Sequence, residues 1–265
     1  MPLITINGTE IYYEEHSSGG ETILFSHGLL WSGKMFHKQV EFLKDRYRVI
    51  TYDHRGQGRS SKQLAPFDME TNYEDARALI EKLSLGRVHF MGISMGGFVG
   101  MRLAARNPEL IKSLVLMETS ADEEPNTFKY SLLNTIVKLA GVKAVTNKVM
   151  PIMFGRNFLA DPHREQERDY WRQQLEMNEK GITKAVDAVI KRRGVFFEIP
   201  AIKCPTLVIV GDQDVATVPE KAIRIHNQIA GSYLKFIEGA GHSSCIEEPE
   251  QINNAIEEFL QRVCG

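Results

Sequence analysis

The chain has 265 residues, of which 43% are apolar and 25% charged. Those proportions belong to a soluble globular chain and exclude disorder, collagen-like repeats and coiled coil as descriptions of the whole, while the length admits one large domain or two small ones. Lysine plus arginine is 32 and aspartate plus glutamate is 34, a balance too even to gather nucleic acid or an anionic membrane.

Along the chain, short apolar runs alternate with helix-period segments. Leu3–Ile6 and Ile11–Glu15 read as strands around Asn7-Gly8, a type I′ hairpin signal. Ile23–Ser26 is a brief buried-strand run, and 33–45 carries Met35, Phe36, Val40, Phe42 and Leu43 as a helical stripe. Arg48–Tyr52 reads as strand. The segment 72–83 reads as helix, with Ala76, Leu79, Ile80 and Leu83 on one face. Val88–Gly92 is predicted strand and 95–107 predicted helix, closed by Asn107-Pro108. Ile111–Met117 and Thr206–Val210 are near-continuous apolar runs, as expected of parallel strands buried on both faces. The remainder predicts helix over 219–229, strand over 233–237 and helix over 249–263. Hairpin strands followed by this alternation indicate an α/β fold with a mostly parallel sheet.

The alternation breaks between Ala121 and Pro200, where no strand-like run occurs. That segment holds 13 Lys and Arg against 11 Asp and Glu, so it nets +2 and the remainder nets −4. Within it, Ile182, Ala185, Val186, Val189 and Ile190 mark one amphipathic helix. An insertion this long at the carboxyl ends of the strands, where ligands bind, reads as a helical cap over a site. The expected division is a core of 1–120 plus 201–265 and a cap of 121–200.

Three cysteines, Cys204, Cys245 and Cys264, are odd in number and widely spaced. They predict neither a disulfide framework nor a zinc site, and they fit a reducing, cytoplasmic setting. The start, Met1 to Gly8, has no basic stretch leading into an apolar one, so no secretory signal is read there. The longest weakly polar run, Phe90–Met101, is 12 residues with four glycines, too short and too broken to span a bilayer.

The sharpest chemical signal is Gly92-Ile93-Ser94-Met95-Gly96, set between an apolar strand and an apolar helix. Chance alone yields about 0.1 such matches in a chain of this length, and the strand–turn–helix context raises it further. A serine nucleophile needs a tight turn that lifts its hydroxyl clear of the sheet, and glycine two residues to either side removes side chains that would clash. The turn aims a helix amino terminus at that hydroxyl, so the Met95 N–H can meet a developing oxyanion.

Serine needs a base to take its proton. Of eight histidines, His242 is best placed, in Gly239-Ala240-Gly241-His242 just after a predicted strand; His37 and His54 are weaker competitors. A carboxylate should orient that imidazole. Asp214, past the strand end at Val208–Gly211, is favoured, with Glu118 as main rival and Asp212 third. The second oxyanion donor is expected in His27-Gly28-Leu29-Leu30-Trp31, as the Leu29 N–H. The stretch Asp53 to Ser60 has no P-loop lysine and reads as a structural loop with local ion pairs. For substrate contacts, Trp31, Met153, Phe154 and Trp171 are candidates to line an apolar pocket. Lys191-Arg192-Arg193 is a possible carboxylate site but has the pattern of a solvated helix end.

Taken together, His27-Gly28, Asp53-x-Arg55-Gly56-x-Gly58-x-Ser60, Gly92-x-Ser94-x-Gly96-Gly97, Gly211-x-x-Asp214 and Gly241-His242 resemble the α/β-hydrolase superfamily. Within it, the segments after Asp214 and His242 are similar to those of small capped carboxylesterases and 3-oxoadipate enol-lactonase-like hydrolases. The resemblance implies an eight-stranded, mostly parallel sheet with a helical cap after the sixth strand. It also implies a Ser94–Asp214–His242 triad, an oxyanion hole of Leu29 and Met95, and hydrolysis of a small carboxylic ester or lactone through an acyl-enzyme with no metal or cofactor. Three features narrow it. There is no Gly-Gly-Gly run in the oxyanion loop, Ser243 stands where carbon–carbon hydrolases of this fold often carry tryptophan, and Ser94 stands where dehalogenases and epoxide hydrolases carry aspartate. A slow-turnover ligand receptor and a cofactor-free perhydrolase or haloperoxidase are the competing readings.

Overall fold

A computed structural model describes residues 2–62 and 65–264 of the chain. It opens with β1 (Leu3–Ile6) and β2 (Thr9–Glu15), joined by Asn7 and Gly8, both at positive φ (46° and 75°). This is the backbone a two-residue type I′ turn requires. Next come β3 (Thr22–Ser26), α1 (His37–Leu43), β4 (Arg48–Tyr52), α2 (Met69–Lys82), β5 (Val88–Ile93), α3 (Met95–Arg106) and β6 (Ile111–Met117). Five helices follow: α4 (Thr127–Ala140), α5 (Thr146–Met153), α6 (Arg156–Ala160), α7 (Glu165–Glu176) and α8 (Ile182–Ile190). The chain closes with β7 (Thr206–Gly211), α9 (Pro219–Gln228), β8 (Tyr233–Ile237), α10 (Ser244–Glu247) and α11 (Pro249–Cys264).

The eight strands form one sheet in the order β1-β2-β4-β3-β5-β6-β7-β8. Only the β1–β2 and β2–β4 pairs are antiparallel. The five pairings from β4 through β3, β5, β6 and β7 to β8 are parallel. Strands β5 and β7 are buried at every position, which for β7 is why it reads as a near-continuous apolar run. Their side chains still alternate. Met91, Ile93, Val115, Met117, Leu207 and Ile209 join the core on one face, and Val88, Phe90, Leu114, Leu116, Val208 and Val210 join the core on the other. β8 lies at the sheet edge and leaves Tyr233 and Phe236 exposed.

Two helix starts differ from the pattern-based reading. The stripe at 33–45 begins as a 3₁₀ turn over Gly33–Phe36 before α1. α2 begins at Met69 rather than 72, because Asp68 caps it: its carboxylate accepts from the Thr71 N–H at 2.9 Å in a capping box. The helical insert α4–α8 lies between β6 and β7. It is not a separate layer: Val137, Met150, Phe158, Trp171 and Leu175 share one apolar cluster with Trp31, Met35 and Phe36.

Candidate active site

The carboxyl ends of β5, β7 and β8 deliver three polar side chains to one point. Ser94 follows β5 and precedes α3, with φ 50° and ψ −111°, a conformation a non-glycine residue adopts only when its surroundings force it. The forcing groups are visible around the turn. A Cβ on Gly92 would sit 2.3 Å from the Gly96 carbonyl oxygen, and a Cβ on Gly96 would sit 1.9 Å from that of Ser26. Only glycine permits α3 to start so close to β3 and β5. The Ser94 N–H donates to the Met117 carbonyl at 2.8 Å, and the Thr119 hydroxyl donates to the Ser94 carbonyl at 2.8 Å. The elbow is thus pinned from β6 as well.

His242 sits on the loop after β8. Its Nε2 is 2.9 Å from the Ser94 Oγ, and its Nδ1 is 2.9 Å from Asp214 Oδ2. Asp214 also accepts from the N–H groups of Ala216 (2.8 Å) and Thr217 (3.0 Å) and from the Thr217 hydroxyl (2.7 Å). Burial pushes the Asp214 carboxyl up, but the opposing His242 and the Thr217 donors outweigh burial and hold it below the usual aspartate value. It stays an anion facing the imidazole.

Glu118, the rival acid, lies at the end of β6 with φ 41° and is fully buried. Its Oε1 accepts from the Gly211 N–H at 3.1 Å and bonds no imidazole. Burial, then the charge of Asp214, raises its pKa well above the ordinary range. Asp212 turns away: its Oδ1 accepts from the Gly239 N–H at 2.9 Å.

The loop His27–Trp31 packs against the serine, with the Cβ direction of Gly28 3.6 Å from Ser94 Cβ. Among the described residues, the N–H groups of Leu29 and Met95 make no hydrogen bond. The neighbouring Leu30 N–H is instead bound by Gln57 Oε1 at 2.8 Å. These two backbone donors, next along the chain from Gly28 and from Ser94, therefore stay without an acceptor among the described residues. The loop's path is fixed by His27, whose Nδ1 meets the Gly28 carbonyl at 2.7 Å and whose Nε2 accepts from the His54 N–H at 2.9 Å. His54 in turn bonds Ser26 Oγ. His37, the other competitor, leans on Trp171 with ring centroids 6.2 Å apart.

The Asp53–Ser60 stretch supports the same loop. Asp53 accepts from the Gly33 and Arg59 N–H groups, both at 2.8 Å. Arg55 pairs doubly with Asp75 at 2.5 and 2.6 Å. Gln57 reaches from this stretch to both Leu30 and the Met95 sulfur, a role no pattern in the sequence announces.

A cavity of about 140 Å³ opens from Ser94 and His242 into the helical insert. Of the four pocket candidates the structure brings one, Met153, to this cavity. Trp31, Phe154 and Trp171 pack on one another instead, with Trp31 5.8 Å from Phe154 and 5.5 Å from Trp171 between ring centroids. All three are buried at 3% exposure or less, and the two tryptophans edge a separate polar cleft with Lys34, Arg59 and Lys62. Large aromatics make rigid packing, so here they join core to insert rather than face a ligand. The wall is mostly aliphatic: Leu133, Val137, Val142, Val145, Val149, Ile152, Leu175, Ile182 and Val186, from α4, α5, α7, α8 and the turn between α4 and α5, with Phe98, Glu124, Tyr130, Asn134 and Thr217 among them. Arg192 also lines it. The run 191–193 is solvated only at Lys191 and Arg193.

Sequence reasoning also missed Glu247. Its carboxylate accepts three N–H groups: Gly155 of the insert at 2.7 Å, and Gly241 and Ser243 flanking His242 at 3.0 Å each. Burial raises its pKa to about 7, against those three donors. Its distance of five residues from His242 on a short helix is the one sequence signal that could have found it. Burial lifts the Cys204 thiol to about 11 and raises the Cys245 thiol well above its usual value, and both are free. Among the described residues, no group of three His, Cys, Asp or Glu is placed to hold a metal, and no helix is long and apolar enough to cross a membrane.

This sheet order, elbow and insert define a class. Residues 21–249 match the family model for the alpha/beta hydrolase fold, and the chain belongs to that family. Among its relatives, RutD of Rhizobium rhizogenes, which is named as a carbamate hydrolase, is 26% identical over 257 residues, 95% of this chain and 98% of that one. The crystal structure of the enol-lactonase from Burkholderia xenovorans superposes with a TM-score of 0.92 at 28% identity, covering 98% of this chain and all of that one. An esterase from Thermogutta terrifontis gives a TM-score of 0.91 at 26% identity, covering 99% of both.

Proposed function

We propose that this hydrolase cleaves a carboxylic ester or lactone through an acyl-enzyme on Ser94. One observation carries the reading. His242 bridges the Ser94 hydroxyl and the Asp214 carboxylate at 2.9 Å on each side, beside the unpaired N–H groups of Leu29 and Met95.

The chemistry follows from those positions. As Ser94 Oγ attacks the carbonyl carbon, its proton passes to His242 Nε2. Asp214 holds Nδ1–H, fixes the tautomer and stabilises the imidazolium. The Leu29 and Met95 N–H groups take the charge that develops on the carbonyl oxygen, with Met95 at the positive end of α3. The tetrahedral intermediate collapses, His242 gives its proton to the leaving oxygen, and the acyl group stays on Ser94. Water then attacks, gives a proton to His242, and the acid departs as Ser94 recovers its hydrogen. No step calls on a metal or cofactor. The named activities of the lactonase and esterase relatives fall within this one reaction type, which is why it is stated at that level.

The experiment is turnover of a p-nitrophenyl ester series and a lactone panel. Release of acid at steady state supports the reading. Labelling by a fluorophosphonate with barely any turnover points instead to a slow ligand receptor. Peracid formation that outpaces hydrolysis in the presence of peroxide points to a perhydrolase.

A further inference from the structure

The cavity above Ser94 has two ionic residues in its wall besides His242, Glu124 and Arg192, and they are bonded to each other. Arg192 Nη1 donates to Glu124 Oε2 at 2.9 Å, with side chains only 3% and 11% exposed. Carbonyl oxygens hold the guanidinium further: Asp122 at 3.0 Å from Nε and Val189 at 3.0 Å from Nη1. The guanidinium carbon lies 4.4 Å from the centre of the Phe98 ring. Phe98 is one turn along α3 from Ser94, about 6 Å of helix. A cation therefore stands in the wall of the cavity that Ser94 also lines, among side chains that are mostly aliphatic apart from Phe98, Tyr130, Asn134 and Thr217, with its countercharge already supplied.

An anionic substrate chain entering here would lose its hydration shell. Its attraction to Arg192 would be offset by repulsion from the Glu124 carboxylate bonded to it. An uncharged aliphatic chain loses little on leaving water and gains about 25 cal/mol for each Å² of apolar surface buried. Resting on the hydrolase reading above, we infer that the substrate is an ester or lactone whose chain in this cavity is aliphatic and uncharged. Glu124 is the residue that sets this selectivity: by neutralising Arg192 it denies the pocket a carboxylate-binding site.

The test uses matched chains, p-nitrophenyl hexanoate and the mono-p-nitrophenyl ester of adipic acid, which differ in a terminal carboxylate. Wild-type kcat/KM should favour the neutral ester by at least about tenfold. In Glu124→Gln, which leaves Arg192 without its countercharge, the ratio should move toward the carboxylate ester by about tenfold or more. In the double variant Glu124→Gln/Arg192→Met, which removes both charges, it should return to favouring the neutral chain. A second measurement does not depend on turnover or on those variants folding: binding of methyl hexanoate and of monomethyl adipate to Ser94→Ala by calorimetry, with the neutral ester bound at least about tenfold more tightly. Equal or reversed affinities there, or an unmoved ratio in a folded Glu124→Gln, would overturn the inference. Failure of the wild type to hydrolyse any ester, with the binding contrast intact, would instead remove the hydrolase reading and leave the pocket's selectivity standing.

Discussion

The core and the insert hold their parts of the site by different means. In the core, position is set by backbone: a strained serine between glycines, two free N–H groups, and an aspartate fixed by three donors besides its histidine. In the insert, the cavity wall is made mostly of aliphatic side chains from α4, α5, α7 and α8, with Tyr130, Asn134 and the Glu124–Arg192 pair among them. The first arrangement fails when one atom is misplaced, and the second tolerates exchange and changes preference instead. Chemistry and selectivity are thereby separable in this chain, and substitutions in the two regions should differ in kind.

The widest contrast lies at two neighbouring strand ends of the core. Asp214→Asn should lower kcat on an activated ester by about 10⁴-fold, because the amide cannot hold the required imidazole tautomer. Glu118→Gln, at a side chain bonded to the Gly211 N–H rather than to His242, should cost less than about threefold. Steady-state kinetics of the two variants checks this, and the reverse ranking would move the acid to β6. Next in size is the elbow. Gly96→Ala drives a methyl into the Ser26 carbonyl, 1.9 Å from the ideal Cβ, and should remove at least about 3 kcal/mol of stability. A denaturant melt reads that loss, and a near-normal midpoint would show the turn to be more yielding than described.

The insert should respond more gently. Met153→Ala should shift the preference among acyl chain lengths by about tenfold at most, near the worth of one or two methylenes. Fluorophosphonate labelling of that variant should continue at an unchanged rate. Loss of labelling would mean that the insert positions the reacting groups as well.

A different kind of effect, one that depends on pH, is expected at the seam between the regions. Glu247 has its pKa raised to about 7 from an ordinary 4.5, so the folded state holds that proton more tightly than the unfolded chain does. Its contribution to stability is fully present below about pH 4.5 and declines as pH rises toward 7. Glu247→Gln carries no such proton. The gap in Tm between wild type and variant should therefore change against the wild type from pH 4.5 to 7.5. Parallel curves would show that the three N–H donors hold the carboxylate at its ordinary pKa.

The same division explains what could be read from the sequence. Core elements were legible because parallel strands buried on both faces leave unbroken apolar runs, and because Gly92, Ser94 and Gly96 are required by hard contacts. Distance past the strand end favours Asp214 over Asp212 and leaves Glu118 as a rival; in the structure Asp214 differs from Glu118 by its bond to His242 and by its donors from Ala216 and Thr217. The pocket was not legible. Trp31, Phe154 and Trp171 have the size of ligand contacts, but size serves packing equally well, and most of the cavity wall is built from valines, leucines and isoleucines that any core helix carries. Arg192 looked solvated because its neighbours Lys191 and Arg193 are; one residue of register on a helix end decides between water and interior. Gln57 and Glu247 act through bonds to the Leu30 and Gly155 N–H groups, far away along the chain, which leave almost no local pattern.

The account rests on Ser94 as the nucleophile. The most direct measurement is reaction with a fluorophosphonate, followed by intact mass and peptide mapping, alongside ester turnover of Ser94→Ala. One adduct per chain on Ser94, absent from the variant, with turnover reduced by about 10⁴-fold or more, is the result expected. An adduct on another residue, or near-normal hydrolysis by Ser94→Ala, would contradict it.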